Sequence, residues 1–317
     1  MEQETLLEAA HLTVGYPGAA SPVLHDVSFR VYPEKITCII GESGCGKSTL
    51  LHAVWQLPGR VEILQGSVCY RDRNLKDLSS GELRRMRGTQ IGVVFQEPGA
   101  SLDPIRKIQV QFYEAMKAHD RSVTKARARE KAAGILKNME FEDPDRILRC
   151  CPAQLSGGMN QRVAIALAMS LDPKLLVADE PTSALDVTVQ AQIVEELMRL
   201  RDVYGTSILL ITHNMGVVSK MADYIAVMYA GRILEYGKKE AVLTHPAHPY
   251  TKALLEAIPR LDGKPPKGIP GRKPDVFPVE GCAFAPRCPR AGRECETRSC
   301  ERKTVGEEHW TLCPEEM

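Results

Sequence analysis

The sequence predicts an α/β fold with a buried parallel sheet, and three observations predict it. Short apolar runs rich in β-branched residues are typical of strands buried on both faces, and four such runs occur: residues 36–40, 91–95, 175–180 and 207–212. Stretches with helical character, such as residues 187–204, lie between them. Polar residues of the kinds that bind ligands follow the runs directly, where an open α/β sheet places its binding groups.

The segment GESGCGKS, residues 41–48, follows the first of these runs and leads into a predicted helix. Its spacing, G-x-x-x-x-G-K-S, is that of a phosphate-binding loop. The glycines let backbone N–H groups turn toward phosphate oxygens, and the helix N-terminus adds partial positive charge. Lys47 is expected to reach the β- and γ-phosphates, and Ser48 to ligate Mg²⁺. A glycine-rich turn without a ligand is the alternative, but the flanking strand and helix favour nucleotide binding.

Four further polar groups stand at the ends of the other runs. Gln96 follows the second run, where it could contact Mg²⁺ and the attacking water or simply cap a turn. Asp179 and Glu180 end the third run, and buried acids are costly unless they meet a cation or water. A Mg²⁺ ligand followed by a general base therefore explains this pair best. His213 follows the fourth run, and although a lone histidine is more often structural, this one shares the predicted sheet edge with the acids.

Two other places have both a functional and a structural interpretation. Ser156, Gly157 and Gly158 open a long predicted helix, which makes a second helix N-terminus able to hold an anion. An ordinary N-cap is the alternative. Tyr16 ends the first of two predicted strands, residues 6–16 and 23–31, where its ring could stack on an adenine or only pack.

Composition sets broad limits on the kind of protein. The 317 residues, 44% hydrophobic and 26% charged, suffice for a full core and a small second module. The net charge of +1 gives no bias toward nucleic acid or an anionic membrane. The first residues do not resemble a signal peptide, and no apolar run approaches the roughly 20 residues that span a bilayer. We therefore expect a soluble, cytosolic chain whose membrane role would need partner subunits.

The ten cysteines are unevenly distributed, and five of them lie in the last 36 residues: Cys282, Cys288, Cys295, Cys300 and Cys313. In a reducing cytosol such a group suggests metal rather than disulfides. No pair has the C-x-x-C spacing of common zinc sites, and four thiolates gathered from proline-flanked loops suit a 4Fe–4S cluster. Zinc, held by the same thiolates or by three of them with His309, and a set of unligated thiols are the alternatives.

Taken together, GESGCGKS, the turn at Gln96, LSGGM, LLVADE, SALD and ITH occur in the order and spacing of an ABC-type ATPase cassette, which the chain resembles over residues 5–240. The segments QEPGASLDP, LSGGMNQR and HPAHPYTKALLEAIP resemble the ATP-binding subunits of oligopeptide, dipeptide and nickel importers. The tail GCAFAPRCPRAGREC…HWTLC resembles the C-terminal module of that subfamily. The resemblance implies a RecA-like core with an antiparallel β subdomain, a helical subdomain and a small cysteine-rich module.

We accordingly expect three domains. An ATPase cassette occupies residues 1–240 and includes a helical subdomain at about 105–155, where the sequence is charged and poor in β-formers. A helical extension and a Pro/Gly-rich linker occupy 241–278, and the cysteine-rich segment is residues 279–317. The subfamily's four cysteines match Cys282, Cys288, Cys295 and Cys313. Cys300 is an extra thiol, which leaves open whether Cys295 or Cys300 is the third ligand.

The resemblance also implies roles for individual residues. The implied nucleotide-binding residues are Tyr16, Gly41, Ser43, Gly44, Cys45, Gly46, Lys47, Ser48, Thr49, Gln96, Ser156, Gly157, Gly158 and Asp179. Among them Tyr16 stacks on adenine, the signature Ser156–Gly158 contacts the γ-phosphate held by the opposite subunit, and Ser48, Gln96 and Asp179 hold Mg²⁺. The implied catalytic residues are the general base Glu180, the γ-phosphate switch His213, Gln96 and Lys47. Asp186 lies in the loop that crosses the dimer, and Met159 departs from the glutamine usual in the signature.

The function implied is that of the ATPase subunit of a binding-protein-dependent importer at the cytoplasmic face of the membrane. Its cofactors are ATP, Mg²⁺ and a 4Fe–4S cluster. Its partners are a paralogous ATPase subunit, two permease subunits and a solute-binding protein, with a homodimer of ATPases as the alternative to the heterodimer. Peptides are the expected cargo, and a nickel or metal-chelate importer is the closest alternative. A soluble, non-transport ABC ATPase and a regulatory metal protein are alternatives of other classes.

Overall fold

A computed structural model describes residues 4–57, 59–98, 101–183, 185–258, 268–269, 271, 281–297 and 300–313. The strands among these residues are β1 (Leu7–Gly15), β2 (Leu24–Val31), β3 (Ile36–Ile40), β4 (Glu62–Tyr70), β5 (Arg73–Asn74), β6 (Ile91–Val94), β7 (Leu175–Asp179), β8 (Ser207–Ile211), β9 (Tyr224–Tyr229), β10 (Arg232–Lys238), β11 (Lys303–Gly306) and β12 (His309–Thr311). The α-helices are α1 (Lys47–Val54), α2 (Ser80–Thr89), α3 (Ile108–His119), α4 (Lys125–Asn138), α5 (Pro144–Arg149), α6 (Gly157–Ala168), α7 (Val187–Tyr204), α8 (Met215–Met221), α9 (Lys239–Thr244), α10 (Pro249–Glu256) and α11 (Glu294–Thr297).

The chain divides into two compact units. The first comprises Met1–Leu6, Val31–Ile36 and Arg71–Ile211, and the second comprises Leu7–Arg30, Thr37–Tyr70 and Thr212–Met317. The predicted domain boundaries stay a prediction. Most of residues 259–278, the second half of the predicted extension and linker, lie outside the described residues, as do residues 99–100 and 184 within the predicted motifs.

The first unit contains the parallel strands that the apolar runs predict. Strand β7 pairs in parallel with β6 on one side and with β8 on the other. Every residue of β7 and β8 is buried, which explains why their sequences are continuously apolar instead of alternating.

Helices α3, α4 and α5 form the part of the first unit between residues 105 and 155. Their buried faces are apolar at helical spacing: Ile108, Phe112 and Met116 on α3, Ala128, Ala132 and Ile135 on α4. Thr124 caps α4, and Asp143 caps α5 ahead of Pro144 in the first turn. Local sequence chemistry therefore sets where these two helices begin.

Helix α6 is joined to α7 by a buried ion pair. Arg162 Nε lies 2.6 Å from Glu196 Oε1, and the Arg162 guanidinium lies 3.9 Å from the centre of the Phe141 ring. Burial raises the pKa of Glu196 to about 7, although Arg162 acts in the opposite direction. At the start of α6, a Cβ on Gly158 would lie 2.7 Å from Val189 Cγ1 on α7, so this close helix contact requires glycine.

The second unit contains two sheets. The antiparallel one has the order β2-β1-β4, and its core side chains include Leu7, Val14 and Leu24. In the other, β9 pairs in parallel with β3 and antiparallel with β10. Ala230 and Gly231, both with positive φ, form the tight turn between β9 and β10, as the sequence predicts.

The described part of the cysteine-rich segment continues this second sheet. Strand β12 pairs antiparallel with β10, Glu235 opposite Thr311 and Tyr236 opposite Trp310, and β11 pairs with β12. The rings of Tyr236 and Trp310 stack with their centres 6.0 Å apart. The described residues of this segment therefore extend a sheet of the second unit, and the separate small module stays a prediction.

No helix within the described parts of the chain combines the length and the apolar character needed to cross a bilayer.

Candidate functional site

The phosphate loop, residues 41–48, joins β3 to α1 in the second unit, as the sequence predicts. Gly41, Gly44 and Gly46 have φ of 157°, 73° and 106°. A Cβ on Gly41 would lie 2.1 Å from the carbonyl oxygen of Met228, and one on Gly46 would lie 2.7 Å from Leu24 Cδ2. The spacing of the motif therefore reflects steric necessity as well as backbone freedom.

Lys47 folds back over the loop. Its Nζ donates to the carbonyl oxygens of Gly41, at 2.8 Å, and Glu42, at 3.0 Å, and the residue is only 7% exposed. The Ser48 side chain is exposed beside it, at the first turn of α1. A buried ammonium and a helix N-terminus in one loop form a setting that favours an anion.

Tyr16 is linked to the helix that follows the loop. Its hydroxyl lies 3.0 Å from Thr49 Oγ1, within hydrogen-bond distance, while the residue is 45% exposed. An accessible ring fixed at its far end matches what base stacking needs. The structure thus brings together two residues that the sequence separates by more than thirty positions.

His213 lies at the strand end from which the phosphate loop departs. The N–H of Thr212 donates to the carbonyl oxygen of Ile39, at 3.1 Å, two residues before Gly41. The His213 side chain is exposed, and the next residue, Asn214, caps α8. His213 thus lies beside the end of β3 in the second unit, and the edge that it is predicted to share with the acids stays a prediction.

In the first unit, Gln96 and the acids follow neighbouring strands. Val94 of β6 is in register with Ala178 of β7, so Gln96 and Glu180 each come two residues beyond a matched pair. Asp179 is 9% exposed. Glu180 has a φ of 43°, in the left-handed region, and its N–H donates to the carbonyl oxygen of Ile211, at 2.8 Å. Ala230 and several other described non-glycine residues share a positive φ, so this backbone conformation alone does not single out Glu180.

The signature loop, residues 155–159, opens α6 in the first unit. Ser156 Oγ accepts from the N–H of Met159, at 3.3 Å, and both Ser156 and Gly157 are exposed. Asp186 caps α7 in the same way, accepting from the N–H groups of Thr188 and Val189. The N-cap interpretation of Ser156 therefore holds, and the exposed glycine leaves the helix N-terminus accessible.

Sequence reasoning missed the contacts that hold Glu42, the second residue of the phosphate loop. Arg287 Nη1 lies 3.1 and 3.0 Å from the two carboxylate oxygens of Glu42. The N–H of Glu42 donates to the hydroxyl of Tyr250, at 3.1 Å. No local pattern joins residues more than 200 positions apart, although Tyr250 and Arg287 both lie in the segments that carried the subfamily resemblance.

The cysteine-rich segment brings its thiols near one another. Cys282, Cys295 and Cys313 are buried, and the N–H of Cys282 donates to the carbonyl oxygen of Cys295, at 2.7 Å. The thiols of Cys282 and Cys300 share a hydrogen bond, and that contact raises the pKa of Cys282 and lowers the pKa of Cys300. The thiol treated as extra from the sequence is thus a neighbour of a predicted ligand.

Two findings bear on metal binding by this segment. Across the described residues, no three side chains of His, Cys, Asp or Glu are arranged as a site that could hold a metal ion. His309, the alternative zinc ligand, has Nε2 2.7 Å from Glu235 Oε1, deep in the second unit. The thiols fit an iron–sulfur cluster in chemical kind, but they are not a preformed ligand set.

Comparison with known proteins gives a consistent result. Residues 24–183 match the family model "ABC transporter", and residues 234–295 match "Oligopeptide/dipeptide transporter, C-terminal region". A dipeptide transport ATP-binding protein of Bacillus subtilis is 39% identical over 93% of this chain and 90% of its own. A probable peptide ABC transporter ATP-binding protein of Sinorhizobium fredii is 40% identical over 98% of this chain and 95% of its own.

Solved structures agree with this fold. An ABC transporter component from Clostridium perfringens superposes with a TM-score of 0.66 at 25% identity, covering 77% of this chain and 92% of its own. A dimeric ATP-binding cassette in a post-hydrolysis state, bound to ADP and phosphate, gives 0.65 at 28% identity over 74% of this chain and 98% of its own.

Proposed function

The chain belongs to the ABC transporter family, and from that premise we propose that it is the ATP-hydrolysing subunit of an importer for oligopeptides or dipeptides. The observation that carries the cargo class is the match of residues 234–295 to the C-terminal region of oligopeptide/dipeptide transporters, together with two relatives named for dipeptide and peptide transport. As the ATP-binding subunit of an importer, the protein is a peripheral component at the cytoplasmic face of the membrane.

We assign ATP binding to the phosphate loop and its surroundings. Lys47 supplies positive charge to the phosphates and Tyr16 stacks on the base. Buried Lys47 supports the first role, and the exposed ring bonded to Thr49 supports the second. Ser48, Gln96 and Asp179 are the residues that would hold Mg²⁺, which would supply neutralisation of phosphate charge.

Hydrolysis is assigned to the residues at the strand ends. Glu180 accepts the proton of the attacking water, and His213 contacts the γ-phosphate. These roles need positioning and electrostatic stabilisation rather than a covalent intermediate. The position of Glu180 supports its assignment, because it directly follows Asp179 at the end of the fully buried strand β7.

The transporter contains two ATPase subunits in this proposal, and the signature of one completes the site of the other. Exposed Ser156 and Gly157 support this role, because a helix N-terminus that serves another subunit must face outward. We propose that the second ATPase is a paralogue, and that two permeases and a solute-binding protein complete the importer. The mass of the intact complex, expressed from the whole operon and purified, distinguishes a heterodimer of ATPases from a homodimer. Two copies of this chain per complex would overturn the heterodimer.

We further propose that Cys282, Cys288, Cys295 and Cys313 hold a structural 4Fe–4S cluster. The support is the number of neighbouring thiols, since Cys₄ ligation suits such clusters. Anaerobically purified protein should be brown and contain iron and acid-labile sulfide. Cys288→Ser should lose the colour and Cys300→Ser should keep it. Loss of colour in Cys300→Ser, with retention in Cys295→Ser, would make Cys300 the third ligand, and colourless protein with one zinc would overturn the cluster.

Reconstituted transport tests the cargo. The complete importer in proteoliposomes, with ATP inside and labelled solute outside, should take up di- and oligopeptides. The same preparation carrying Glu180→Gln should bind ATP and transport nothing. Uptake of a nickel chelate without uptake of any peptide would overturn the proposed cargo, and ATP hydrolysis by a chain that assembles with no permease would overturn the transport role.

A further inference from the structure

We propose that Arg287, in the cysteine-rich segment, is a positioning residue of the nucleotide site that neutralises Glu42 of the phosphate loop. The proposal rests on the assignment of ATP binding to that loop. It adds a contribution of the cysteine-rich segment to nucleotide affinity, through one ion pair.

The ion pair is specific and shielded from solvent. One guanidinium nitrogen of Arg287 lies 3.1 and 3.0 Å from the two oxygens of the Glu42 carboxylate. The side chain of Arg287 is 6% exposed and that of Glu42 is 23% exposed. Removing one partner of a poorly hydrated pair leaves the other charge uncompensated, so the effect exceeds that of an exposed salt bridge.

Glu42 connects this pair to the working part of the loop. Its carbonyl oxygen accepts from Lys47 Nζ, its N–H donates to Tyr250, and its carboxylate faces Arg287. A displacement of Glu42 therefore changes the position of the Lys47 ammonium.

The charge of Glu42 has a further consequence. A carboxylate on a loop built to receive an anion repels that anion, and the motif itself accepts any residue at this position. Arg287 cancels the charge of the carboxylate. The sign of the effect follows: loss of Arg287 should weaken ATP binding, and removing the charge of Glu42 as well should restore part of it.

The cysteine-rich segment holds Arg287 firmly. Arg287 ends a short 3-10 turn, its N–H donates to the carbonyl oxygen of Phe284, and Cys288 follows directly. The ring of Phe284 is fully buried and packs against Tyr229 and Tyr250, with centres 5.5 and 5.2 Å away. The position of Arg287 is thus fixed by the turn in which it lies as well as by its ion pair with Glu42.

The test measures equilibrium binding of a fluorescent ATP analogue with Mg²⁺ to the full chain, with circular dichroism to verify folding. Arg287→Ala should raise Kd by about 5- to 150-fold, the usual range of coupling between sites. The double variant Glu42→Gln/Arg287→Ala should bind more tightly than Arg287→Ala alone, and Arg287→Lys should lie between parent and Arg287→Ala. In the assembled transporter, KM for ATP should rise in Arg287→Ala while kcat stays close to the parental value.

Arg302→Ala is the matched control, because Arg302 lies in the same segment and stacks on Trp310, with its guanidinium carbon 4.2 Å from the ring centre. It should bind ATP as the parent does.

Lys47→Ala tests the assignment of ATP binding to the phosphate loop and should abolish binding. If Lys47→Ala fails to bind while folded Arg287→Ala binds as tightly as the parent, this inference is wrong and the loop assignment stands. If Lys47→Ala binds normally, the assignment itself fails. Equal weakening by Arg302→Ala, or no recovery in the double variant, would also overturn the role of the ion pair.

Discussion

The phosphate loop and the signature loop both place glycines at the start of a helix, yet they are held in different ways. The phosphate loop is fixed by residues far away in sequence: Met228 packs on Gly41, and Tyr250 and Arg287 bind Glu42. The signature loop is capped by Ser156, which accepts from the N–H of Met159, and one of its glycines, Gly158, packs against Val189 of α7. Similar local patterns can therefore rest mainly on long-range contacts in one unit and on a local cap with a single helix contact in the other.

This difference has a physical consequence for how each loop tolerates change. Long-range contacts are set by packing, so a small steric change in the phosphate loop disturbs several neighbours at once. A cap is a single hydrogen bond, and its loss is confined to one helix end. Four experiments test or delimit this contrast, in order of decreasing effect.

The largest effect is expected at Glu180, which belongs to neither loop. Glu180→Gln should lower ATP hydrolysis by the assembled transporter about 10²–10⁴-fold, the usual contribution of a general base, while ATP binding persists. Glu130→Gln, at an exposed position of α4, is the control and should hydrolyse ATP normally. Hydrolysis at the parental rate in Glu180→Gln would show that Glu180 is not the general base. The base would then have to be sought among other residues, those of the two loops included.

The next effect concerns the anchor behind the signature loop. Glu196→Ala removes the carboxylate from the buried Arg162 guanidinium, which keeps its contacts with the Met139 carbonyl oxygen and the Phe141 ring. The loss of the charge partner should lower the free energy of unfolding by about 3–5 kcal/mol. Chemical denaturation measures it. Arg129→Ala breaks the exposed Arg129–Asp145 pair and should cost less than about 1 kcal/mol. Equal costs for the two would show that the buried pair does not anchor α6.

A pair of glycine substitutions compares the loops directly. Gly41→Ala brings a methyl group against Met228 and Cys45 and should cost about 1–3 kcal/mol of stability, as overpacking usually does. Gly157→Ala meets nothing within 4 Å and lies in a helix, so its free energy of unfolding should be unchanged or slightly higher. Thermal unfolding of both variants measures the two changes in stability. A comparable loss of stability in Gly41→Ala and Gly157→Ala would show that the two loops do not differ in how tightly their glycines are packed.

The smallest effect is expected at the cap of the signature helix. Ser156→Ala should cost about 1 kcal/mol of unfolding free energy, because it removes one side-chain hydrogen bond to Met159. Ser156→Asp should restore it, since aspartate caps as well as serine. A loss of several kcal/mol on Ser156→Ala, not restored by aspartate, would mean that contacts other than the cap hold this loop.

The same contrast explains how much the sequence could predict. The strands of the first unit and the phosphate loop follow from continuous apolar runs and from glycine spacing, which are local signals. The caps at Ser156 and Asp186 also follow from nearby residues. The contact between Arg287 and Glu42 could not be predicted this way, because the two residues are brought together only by the folding of the whole second unit.

The cysteine-rich segment shows where prediction was incomplete. The grouping of its thiols was visible in the sequence, whereas the hydrogen bond between Cys282 and Cys300 was not. The addition of β12 to the edge of β10 was also missed, because β12 has only three residues and carries no clear alternation. A strand this short acquires its conformation from the neighbours with which it pairs.

The pairing of β12 with β10 also affects how the nascent chain matures. Strand β10 ends at residue 238 and β12 begins at residue 309, so the ribosome must add the whole intervening stretch before this partner exists. At a synthesis rate of about 5–20 residues per second, β10 is complete several seconds before β12 has been made. An exposed strand edge is a template for pairing with other chains. We therefore expect chains that terminate before residue 300 to aggregate more than the full chain, and a chaperone that covers strand edges to raise the yield of such truncated chains most.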